Sequence, residues 1–407
     1  MKLLVSALIL LVLPTIVAAQ EPKSPPSPEP VVNSLISKIA FGSCSNQEDP
    51  MPILRTVLEW NPDLFVYLGD NIYGDTSDMK LLQAKYGKLA ANKDFQALRS
   101  AVPTIATWDD HDYGENDAGK EFALKSESKE IFLKFWNEPF FFDDTETAEI
   151  YTSYRFEDTK PGKILQIILL DTRSFRDQPL KNPFPSWKND YLPDTNPQKT
   201  ILGTKQWDWL KERLREPADL RIIGSSIQFG HEYNGWESWT NFPLELIRMT
   251  ELIKETKANG VVFISGDVHW GELSVLKAPD CYPLHDLTAS GLNRDWSHVE
   301  PNRNRHGEAC MDFHFGMLDI DWNGNPPGNP SVQLRIHDMT GRGRVRSAFL
   351  TQAALIFMFA IPIAPASAAG HRGSSWGAVG NRGYTNRPAG RIHSHYALPG
   401  CQRTDHR

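Results

Sequence analysis

Residues 63–73 read Asp-Leu-Phe-Val-Tyr-Leu-Gly-Asp-Asn-Ile-Tyr. The apolar run from Leu64 to Leu68 does not alternate with polar residues, which is typical of a strand buried on both faces of a sheet. The run ends just before a Gly-Asp pair, with the carboxylate at Asp70. Because active sites of open α/β sheets collect at the carboxyl ends of the strands, Asp70 is predicted to lie at a functional edge.

Three more segments place polar side chains directly after a predicted strand: Phe41–Cys44, Trp108–Asp117 and Ile264–His269. Taken alone, each could be part of the core, a turn or a solvated loop. Together they bring carboxylates, imidazoles and a thiol to strand ends, and charged groups are costly to bury without partners. Their joint occurrence predicts a metal centre at the carboxyl edge of a sheet.

The remaining chain alternates apolar runs of strand length with stretches of helical spacing. This alternation, followed by shorter strands, indicates a mixed α/β fold with two sheets packed between helices. Predicted strands cover residues 38–42, 63–69, 102–108, 164–170, 220–229, 261–265, 272–276, 315–322 and 332–337, and predicted helices cover residues 79–99, 205–215 and 244–259.

The composition is that of an ordinary globular protein. The chain has 407 residues, of which 23% are charged, and a net charge of -7. A chain of this length can build one large core, so we expect one catalytic domain, at residues 38–346, with extensions. The charge balance gives no basic face, so no specific nucleic-acid binding is expected.

The beginning of the chain differs from the predicted domain. Residues 1–19 have the basic start, the apolar run and the small-residue cleavage site of a signal peptide, which predicts a secreted or periplasmic protein. A membrane helix is disfavoured because the run is short. Residues 20–37 are rich in Pro and Ser and are predicted to be a flexible leader.

Residues 347–407 form an atypical tail that is first apolar and then rich in Gly, Arg and His. Residues 348–369 are long enough for a membrane anchor, and this interpretation predicts membrane contact. Pro362 and Pro365 weaken a spanning helix, so a tail unrelated to the catalytic fold is the favoured interpretation. The sequence leaves the oligomeric state open.

The chain has four cysteines, Cys44, Cys281, Cys310 and Cys401. Export permits disulfides. Cys281 and Cys310 could pair across a loop, which would leave Cys44 for another role. The sequence alone does not set the connectivity.

The types of ligand indicate a binuclear centre with two unlike halves. Carboxylates and imidazoles bind many divalent and trivalent ions, whereas the thiolate of Cys44 and the phenolate of Tyr73 favour a redox-capable or softer ion. An oxygen-rich half suits calcium or another hard cation. Two neighbouring ions can clamp an in-line phosphoryl displacement and activate a water.

These motifs resemble those of the alkaline phosphatase D, or PhoD-like, family of metallophosphoesterases over residues 38–346. The resemblance is carried by Phe-Gly-Ser-Cys at 41–44, Gly-Asp-Asn-Ile-Tyr at 69–73, Trp-Asp-Asp-His-Asp at 108–112, Leu-Asp-Thr-Arg at 170–173 and Gly-Asp-Val-His at 266–269. It implies a four-layer αββα fold and hydrolysis of phosphomonoesters or phosphodiesters. Together with the predicted signal peptide, it predicts a secreted hydrolase of small phosphate esters.

The resemblance also implies roles for the metal ligands. Asp70 would bridge two ions, with iron in the half that contains Cys44 and Tyr73. Calcium or another divalent ion, zinc or manganese, would lie in the other half. The complete set of predicted ligands is Cys44, Asp70, Tyr73, Asp110, Asn116, Asp267 and His269.

Two further residues are predicted to act in catalysis. His111 would stabilise charge on the phosphoryl oxygens or protonate the leaving oxygen. Arg173 would clamp a phosphate, although a surface ion pair is an equally good interpretation. Residues 293–296 and 303–306 could shape a substrate entrance, but a solvated loop is the favoured interpretation.

The chain departs from the general metallophosphoesterase pattern, and other functions compete. The Asp-x-His pair of the first strand is absent, and no mid-chain His ligand is apparent near residues 224–228, where Gln228 or His231 could substitute. A non-catalytic, metal-binding extracellular protein or an inactive relative is the alternative function. Cys44 and His111 argue against a purely calcium-binding protein, since calcium prefers oxygen ligands. A serine hydrolase is disfavoured because no Gly-x-Ser-x-Gly elbow follows a strand.

Overall fold

The computed structural model describes residues 35–136, 150–157, 162–184, 190–324 and 330–350. All of them lie in one compact unit, Met1–Ala360. The predicted signal peptide, the predicted leader up to residue 34 and the predicted tail after residue 350 lie outside the described residues.

The described residues form fourteen strands, seven α-helices and one short 3-10 helix. The strands are β1 (Lys38–Gly42), β2 (Leu64–Leu68), β3 (Thr104–Thr107), β4 (Thr152–Glu157), β5 (Ile164–Leu169), β6 (Leu180–Lys181), β7 (Tyr191–Leu192), β8 (Leu220–Ser225), β9 (Val261–Ser265), β10 (Gly271–Leu276), β11 (Leu284–Ala289), β12 (His314–Asp321), β13 (Ser331–Asp338) and β14 (Gly343–Leu350). The helices are α1 (Ile53–Glu59), α2 (Met79–Ala91), α3 (Lys93–Ala101), α4 (Asp110–Tyr113), α5 (Lys125–Trp136), α6 (Gly203–Arg215) and α7 (Pro243–Thr256), and the 3-10 helix covers Trp239–Asn241.

Two six-stranded mixed sheets dominate the fold. The first has the order β14-β13-β12-β1-β2-β3, in which β1, β2 and β3 are parallel and β12 runs antiparallel to β1. The second has the order β10-β11-β9-β8-β5-β4, in which β5, β8, β9 and β11 are parallel. The parallel strands of each sheet therefore end at a common edge.

Alternate residues of the central strands face the two sides of each sheet. In β2, Val66 packs between the sheets in a cluster that includes Ile222 and Ile264 of the second sheet. Its neighbours Phe65 and Tyr67 pack in another cluster with residues of α1, α2, α3 and α5. All five side chains are fully buried. Burial on both faces explains the apolar run of β2 without alternation.

The second sheet carries a matching helical layer. Ile223 and Phe263 of β8 and β9 pack with Trp207 of α6 and Met249 of α7. The layers thus run helix, sheet, sheet, helix. The predicted αββα architecture is confirmed.

One predicted helix, over residues 79–99, is two helices in the structure. The first ends at Ala91, and Asn92 has an extended backbone with φ of -70° and ψ of 123°. The Asn92 side chain accepts hydrogen bonds from the backbone N–H groups of Asp94 (3.0 Å) and Phe95 (3.2 Å). Asparagine is favoured at this capping position because its side chain satisfies the free N–H groups of the first turn. The helical spacing concealed this break.

Several predicted boundaries differ from the structure, most of them by one or two residues, and three examples follow. Helix α7 ends at Thr256, before the predicted stop at Gly260, because Lys257 adopts a left-handed conformation with φ of 54°. Strand β8 ends at Ser225 and does not continue to residue 229. Strand β14 runs to Leu350, past the predicted domain boundary at residue 346.

The proposed Cys281–Cys310 disulfide is wrong. Both residues carry free thiols, as does Cys44. Cys310 packs in the cluster between the two sheets, whereas Cys281 contacts the cluster under α6 and α7. The two thiols therefore belong to different layers of the fold.

Among the described residues, no helix has the length and apolar character needed to cross a membrane. The first three residues of the predicted anchor, 348–350, belong to strand β14. The rest of that segment lies outside the described residues.

Candidate metal centre

The loops that follow β1, β2 and β9 meet at one edge of the sheets. The backbone N–H of Cys44 donates to the carbonyl of Gly69 (3.4 Å), and that of Ser45 donates to the carbonyl of Asp70 (2.8 Å). The thiol of Cys44 lies 3.4 Å from the carbonyl oxygen of Asp267, which follows β9. The strand ends thus bring three predicted ligands together.

Four predicted ligands have a left-handed backbone. The φ angles are 61° at Cys44, 50° at Asp70, 78° at Asp267 and 62° at His269. Such angles are uncommon for residues other than glycine and cluster at functional sites. The local backbone is therefore held in a sparsely populated conformation at the positions that present these side chains.

A glycine is required beside Asp70. Gly69 has φ of +92°, and a Cβ atom there would lie 2.5 Å from the Cβ of Asp109. Only a residue without a side chain allows the loop after β2 to approach the loop after β3 so closely.

One half of the centre contains sulfur, phenol and imidazole groups. The Cys44 thiol lies 3.4 Å from Oδ2 of Asp70, and the Tyr73 hydroxyl lies 2.8 Å from Nε2 of His269. Ligand atoms of Cys44, Asp70 and His269 all lie within 4.8 Å of one another. These four side chains are close enough to surround one ion.

The other half is rich in carboxylates. Ligand oxygens of Asp70, Asp109, Asp110 and Asp267 lie within 4.8 Å of one another. Asp70 and Asp110 form a similar group with a ring nitrogen of His111. Asp109 was not among the predicted ligands, although it stands in the Trp-Asp-Asp-His-Asp motif. Asp70 belongs to both halves.

The chemistry of these donors fits cations. Oδ1 of Asp70, Oδ2 of Asp109 and Oδ1 of Asp110 are buried and have no hydrogen-bond partner within the described chain. Burial raises the pKa values of Asp70 and Asp267 well above their usual range, and nearby carboxylates add to the effect. A cation would satisfy the orphaned oxygens and offset this repulsion.

The pKa values of the Cys44 thiol and the Tyr73 phenol are also raised by their surroundings. Burial, and after it the charge of Asp70, raises the pKa of Cys44 well above its usual value. Burial, and after it the charge of Cys44, raises the pKa of Tyr73. Both groups would retain their protons unless a cation offset these costs, and a coordinated thiol loses its proton.

Arg173 is fully buried behind the carboxylate half. Its guanidinium forms ion pairs with Asp109 and, at 2.6 Å, with Glu237, and it lies 3.6 Å from Asp110. The interpretation as a surface ion pair is therefore wrong, because the side chain is 0% exposed. Three carboxylates of the protein surround its guanidinium, so Arg173 is better placed to hold these carboxylates than to clamp a phosphate.

Sequence reasoning missed a second acidic group beside Arg173. Glu237 also pairs with Arg176 at 2.6 Å, and ligand oxygens of Asp110, Asp117 and Glu237 lie within 4.8 Å of one another. Asp117 stands at the end of the quoted Trp108–Asp117 segment. Glu237, in contrast, lies in a long loop without any motif, so only the fold brings it here.

His111 has a carboxylate partner that sequence reasoning also missed. Nδ1 of His111 lies 2.5 Å from Oδ1 of Asp75, and its ring packs on Tyr73 with 4.3 Å between the centroids. Burial alone would lower the pKa of His111, but the carboxylates of Asp110, Asp70 and Asp75 raise it to about 11. The imidazole is therefore held as a cation that can donate a proton or a hydrogen bond.

Neighbouring positive charges also set the protonation state of Asp110. Burial opposes its ionisation, but the positive charges of His111 and Arg173 hold the pKa of Asp110 below its usual value. Asp110 is thus an ionised carboxylate with one orphaned oxygen, Oδ1. Both properties suit a metal ligand.

A cavity of about 240 Å³ opens onto the centre. Its walls include His111, Asp267 and His269. Asn116 also lines this cavity beside Asp110, so its role as a ligand stays a prediction. Further lining residues are Asp117, Asp190, Tyr191, Trp236, Glu237, Val268, Trp270 and Trp296.

The sequence profile of the PhoD-like phosphatase family matches residues 39–292, which is more than half of the chain. The chain belongs to this family. This match contains all the strand ends that form the metal centre. The predicted relationship is confirmed.

Individual PhoD-like relatives show the same similarity. Alkaline phosphatase D of Bacillus subtilis (strain 168) is 25% identical over 283 residues, which are 60% of this chain and 47% of the relative. The chain thus spans about half the length of this curated relative. A solved structure of PhoD has a TM-score of 0.57 at 18% identity and covers 78% of this chain and 73% of its own.

A third match shows how widely the fold is shared. GAP50, the anchor in the inner membrane complex of Plasmodium, has a TM-score of 0.51 at 13% identity and covers 78% of this chain and 90% of its own. At this identity the likeness concerns the fold alone.

Neither candidate for the missing mid-chain ligand joins the metal centre of this PhoD-like chain. The Gln228 amide donates to Glu272 (2.9 Å) and Thr288 (3.1 Å) and accepts from Asn234 (3.0 Å). Nε2 of His231 lies 3.6 Å from the same Glu272. Both side chains belong to a separate buried network, so their proposed substitution is wrong.

The predicted entrance segment at residues 293–296 is only partly solvated. Asn293 is buried and accepts a hydrogen bond from the backbone of Asn46 (2.6 Å). Trp296 is 38% exposed and meets His269 edge to face, with 6.2 Å between the ring centroids. This segment therefore lies against the metal centre, whereas Arg303 pairs with Glu232 at the surface.

Proposed function

We propose that this PhoD-like chain is a secreted or periplasmic, metal-dependent phosphatase or phosphodiesterase. The observation that carries the proposal is the position of Asp70, which belongs to the sulfur-containing group, to the carboxylate group and to the group with His111. A carboxylate shared in this way suits a bridge between two ions. Membership of the family gives the type of reaction, hydrolysis of a phosphate ester.

The two halves suit different ions. Cys44, Asp70, Tyr73 and His269 would hold iron, because thiolate and phenolate ligands favour a redox-capable ion. Asp70, Asp110 and Asp267, with Asn116 at the cavity wall, would hold calcium or another divalent ion such as zinc or manganese. Asp109 lies in the same carboxylate group but is bound by Arg173, so we assign it to positioning.

When bound, the two ions would supply Lewis acidity toward a water and toward the phosphoryl oxygens. The protein supplies the remaining chemistry. His111 lines the cavity and donates to the developing charge on the phosphoryl group or gives its proton to the leaving oxygen. Asp75 fixes the ring of His111 through Nδ1. The cavity lined by Trp236 and Trp296 would receive the ester group of a small substrate.

A non-catalytic, metal-binding extracellular protein is the competing function. The same fold occurs in GAP50, which is described as an anchor. A protein of this class would bind the ions and keep the acidic centre without turnover. His111 lines the cavity and is oriented by Asp75, which places a proton donor where a substrate would lie and so favours the enzyme.

The test is phosphate release from a chromogenic monoester and a chromogenic diester by the full chain, together with metal analysis. We expect Asp70→Asn and His111→Ala each to lower kcat by about 10²-fold or more, as expected for loss of an acid-base or metal-bridging group. Asp319→Asn is the matched control, because Asp319 pairs with Arg335 far from the centre, on β12. Metal binding without turnover in the unaltered protein would instead support the competing function.

A further inference from the structure

Arg294 lies beside the acidic centre and forms no ion pair with a carboxylate of the described residues. Its guanidinium lies over the ring of Tyr73, with 4.8 Å from Cζ to the ring centroid. Nε of Arg294 is buried and meets no hydrogen-bond acceptor in the part of the chain that is described. A buried N–H donor of this kind is normally paired.

The position of Arg294 is fixed by its neighbours. The backbone N–H of Leu292 donates to the carbonyl of Ser43 (3.2 Å), and that of Asn293 donates to the carbonyl of Cys44 (3.3 Å). The side chain of Asn293 also accepts from the N–H of Asn46 (2.6 Å) and donates to its carbonyl (2.9 Å). These hydrogen bonds therefore hold the segment of Arg294 against the loop that contains Cys44.

Other arginines near the centre differ from Arg294. Arg173 is enclosed by three carboxylates. Arg305 pairs with buried Glu272, and Arg303 pairs with Glu232. Arg294 has no such partner among the described residues, and its guanidinium lies over Tyr73, whose hydroxyl meets His269.

We propose that Arg294 binds the phosphoryl oxygens of the substrate next to the Cys44–Tyr73 half of the centre. The proposal rests on the proposed function, because it needs a phosphate group at this site. A planar guanidinium with several N–H donors matches the oxygens of a phosphate better than an ammonium group does. Arg294 thus takes the role of phosphate clamp that was predicted for Arg173.

A purely structural role would be stacking on Tyr73. Arg294→Lys keeps the positive charge above the ring but loses the planar fork of donors. The metal content of each variant separates the two roles, because a stacking role would act only through Tyr73 as a metal ligand. Arg303→Ala is the matched control, since Arg303 lies in the same region of the chain and its side chain is 90% exposed.

The experiment measures the binding of inorganic phosphate to the metal-loaded full chain by calorimetry, with metal content determined for each variant. We expect Arg294→Ala to raise the Kd of phosphate at least about tenfold and Arg294→Lys to raise it by a smaller factor, as for loss of a charged fork. The Arg303→Ala variant should stay within about twofold. For ester hydrolysis, KM should rise more than kcat falls.

Two results overturn the proposal. One is a phosphate Kd in Arg294→Ala that equals that of the unaltered protein at equal metal content. The other is loss of metal in Arg294→Ala that accounts for the whole change, because Arg294 would then support only Tyr73. If phosphate binding depends on Arg294 but no ester is hydrolysed, the proposed function is wrong, and the inference that Arg294 binds phosphate still holds.

Discussion

Oδ1 of Asp75 lies 2.5 Å from Nδ1 of His111. Asp75 belongs to the loop after β2, and His111 belongs to the short helix α4 after β3. The pair resembles the carboxylate–imidazole arrangement by which many enzymes fix the orientation of a histidine. Asp75 has a left-handed φ of 44°, which turns its side chain toward the ring. His111 is thereby left with its other nitrogen for the substrate.

Replacing Asp75 by asparagine should lower kcat by about 10- to 100-fold, because loss of an outer partner misorients the histidine. The measurement is kcat with a chromogenic phosphate ester. Asp78→Asn is the matched control: Asp78 caps helix α2 by accepting from Lys80 (2.9 Å), and asparagine also caps well. Equal kcat values for the two variants would contradict a role for Asp75 in orienting His111.

Replacing Arg173 by methionine should destabilise the protein by about 3–5 kcal/mol, because the buried carboxylates of Asp109 and Glu237 would lose their shared cation. The measurement is the free energy of unfolding in urea. Arg303→Met, at an exposed site, should change it by less than about 0.5 kcal/mol. An Arg173→Met variant as stable as the unaltered protein would show that the carboxylates do not depend on Arg173.

His314 should make the fold sensitive to acid. Its Nδ1–H donates to the carbonyl of Asp312 (2.7 Å), while Nε2 accepts from the N–H of Ser290 (3.1 Å), so the neutral ring satisfies both neighbours. Burial lowers the pKa of His314 to about 4. The folded state thus resists protonation while the unfolded chain accepts it near the usual pKa of about 6.5.

Titration of His314 should therefore leave the free energy of unfolding independent of pH above about 6.5. As the pH drops from there toward about 4, this free energy should fall by up to about 3 kcal/mol. The measurement is the free energy of unfolding against pH for the unaltered protein and for His314→Asn. The difference between the two curves should narrow on acidification. Parallel curves would rule out this contribution.

Removal of metal should lower the melting temperature, because an ion held by Asp70, Asp109, Asp110 and Asp267 binds the folded chain and stabilises it relative to the unfolded chain. Metal at 100 times its Kd should stabilise the folded state by about 2.7 kcal/mol. The measurement is thermal unfolding after chelation and after metal is restored. Asp70→Asn should reduce the shift, and an unchanged melting temperature after complete chelation would contradict metal binding at this centre.

The strand ends of the centre were predictable because the signal is local. An apolar run that stops at a polar residue indicates a buried strand and its carboxyl end. This pattern predicted the positions of Cys44, Asp70 and Asp267 at the ends of their strands. The two sheets and their helical layers follow from the same runs. The break at Asn92 was hidden because the helical spacing continues on both of its sides.

The rest of the centre depends on contacts that sequence distance conceals. Glu237 lies 64 positions from Arg173 along the chain, and only the fold brings the loop after β8 against Arg173. Arg173 therefore looked equally like a clamp and a surface residue. Gln228 and His231 follow the end of a strand in the sequence, but both side chains interact with Glu272 and not with the metal centre.

The left-handed backbones at Cys44, Asp70, Asp267 and His269 carry a consequence for how such a protein can change. Each conformation costs about 1–3 kcal/mol in a residue with a side chain, and glycine would relieve it. A glycine substitution at any of these four positions should stabilise the folded state of the metal-free chain, but it also removes a metal ligand. Selection for thermal robustness alone would erode this centre, so its persistence in a lineage would be a signature of selection for activity.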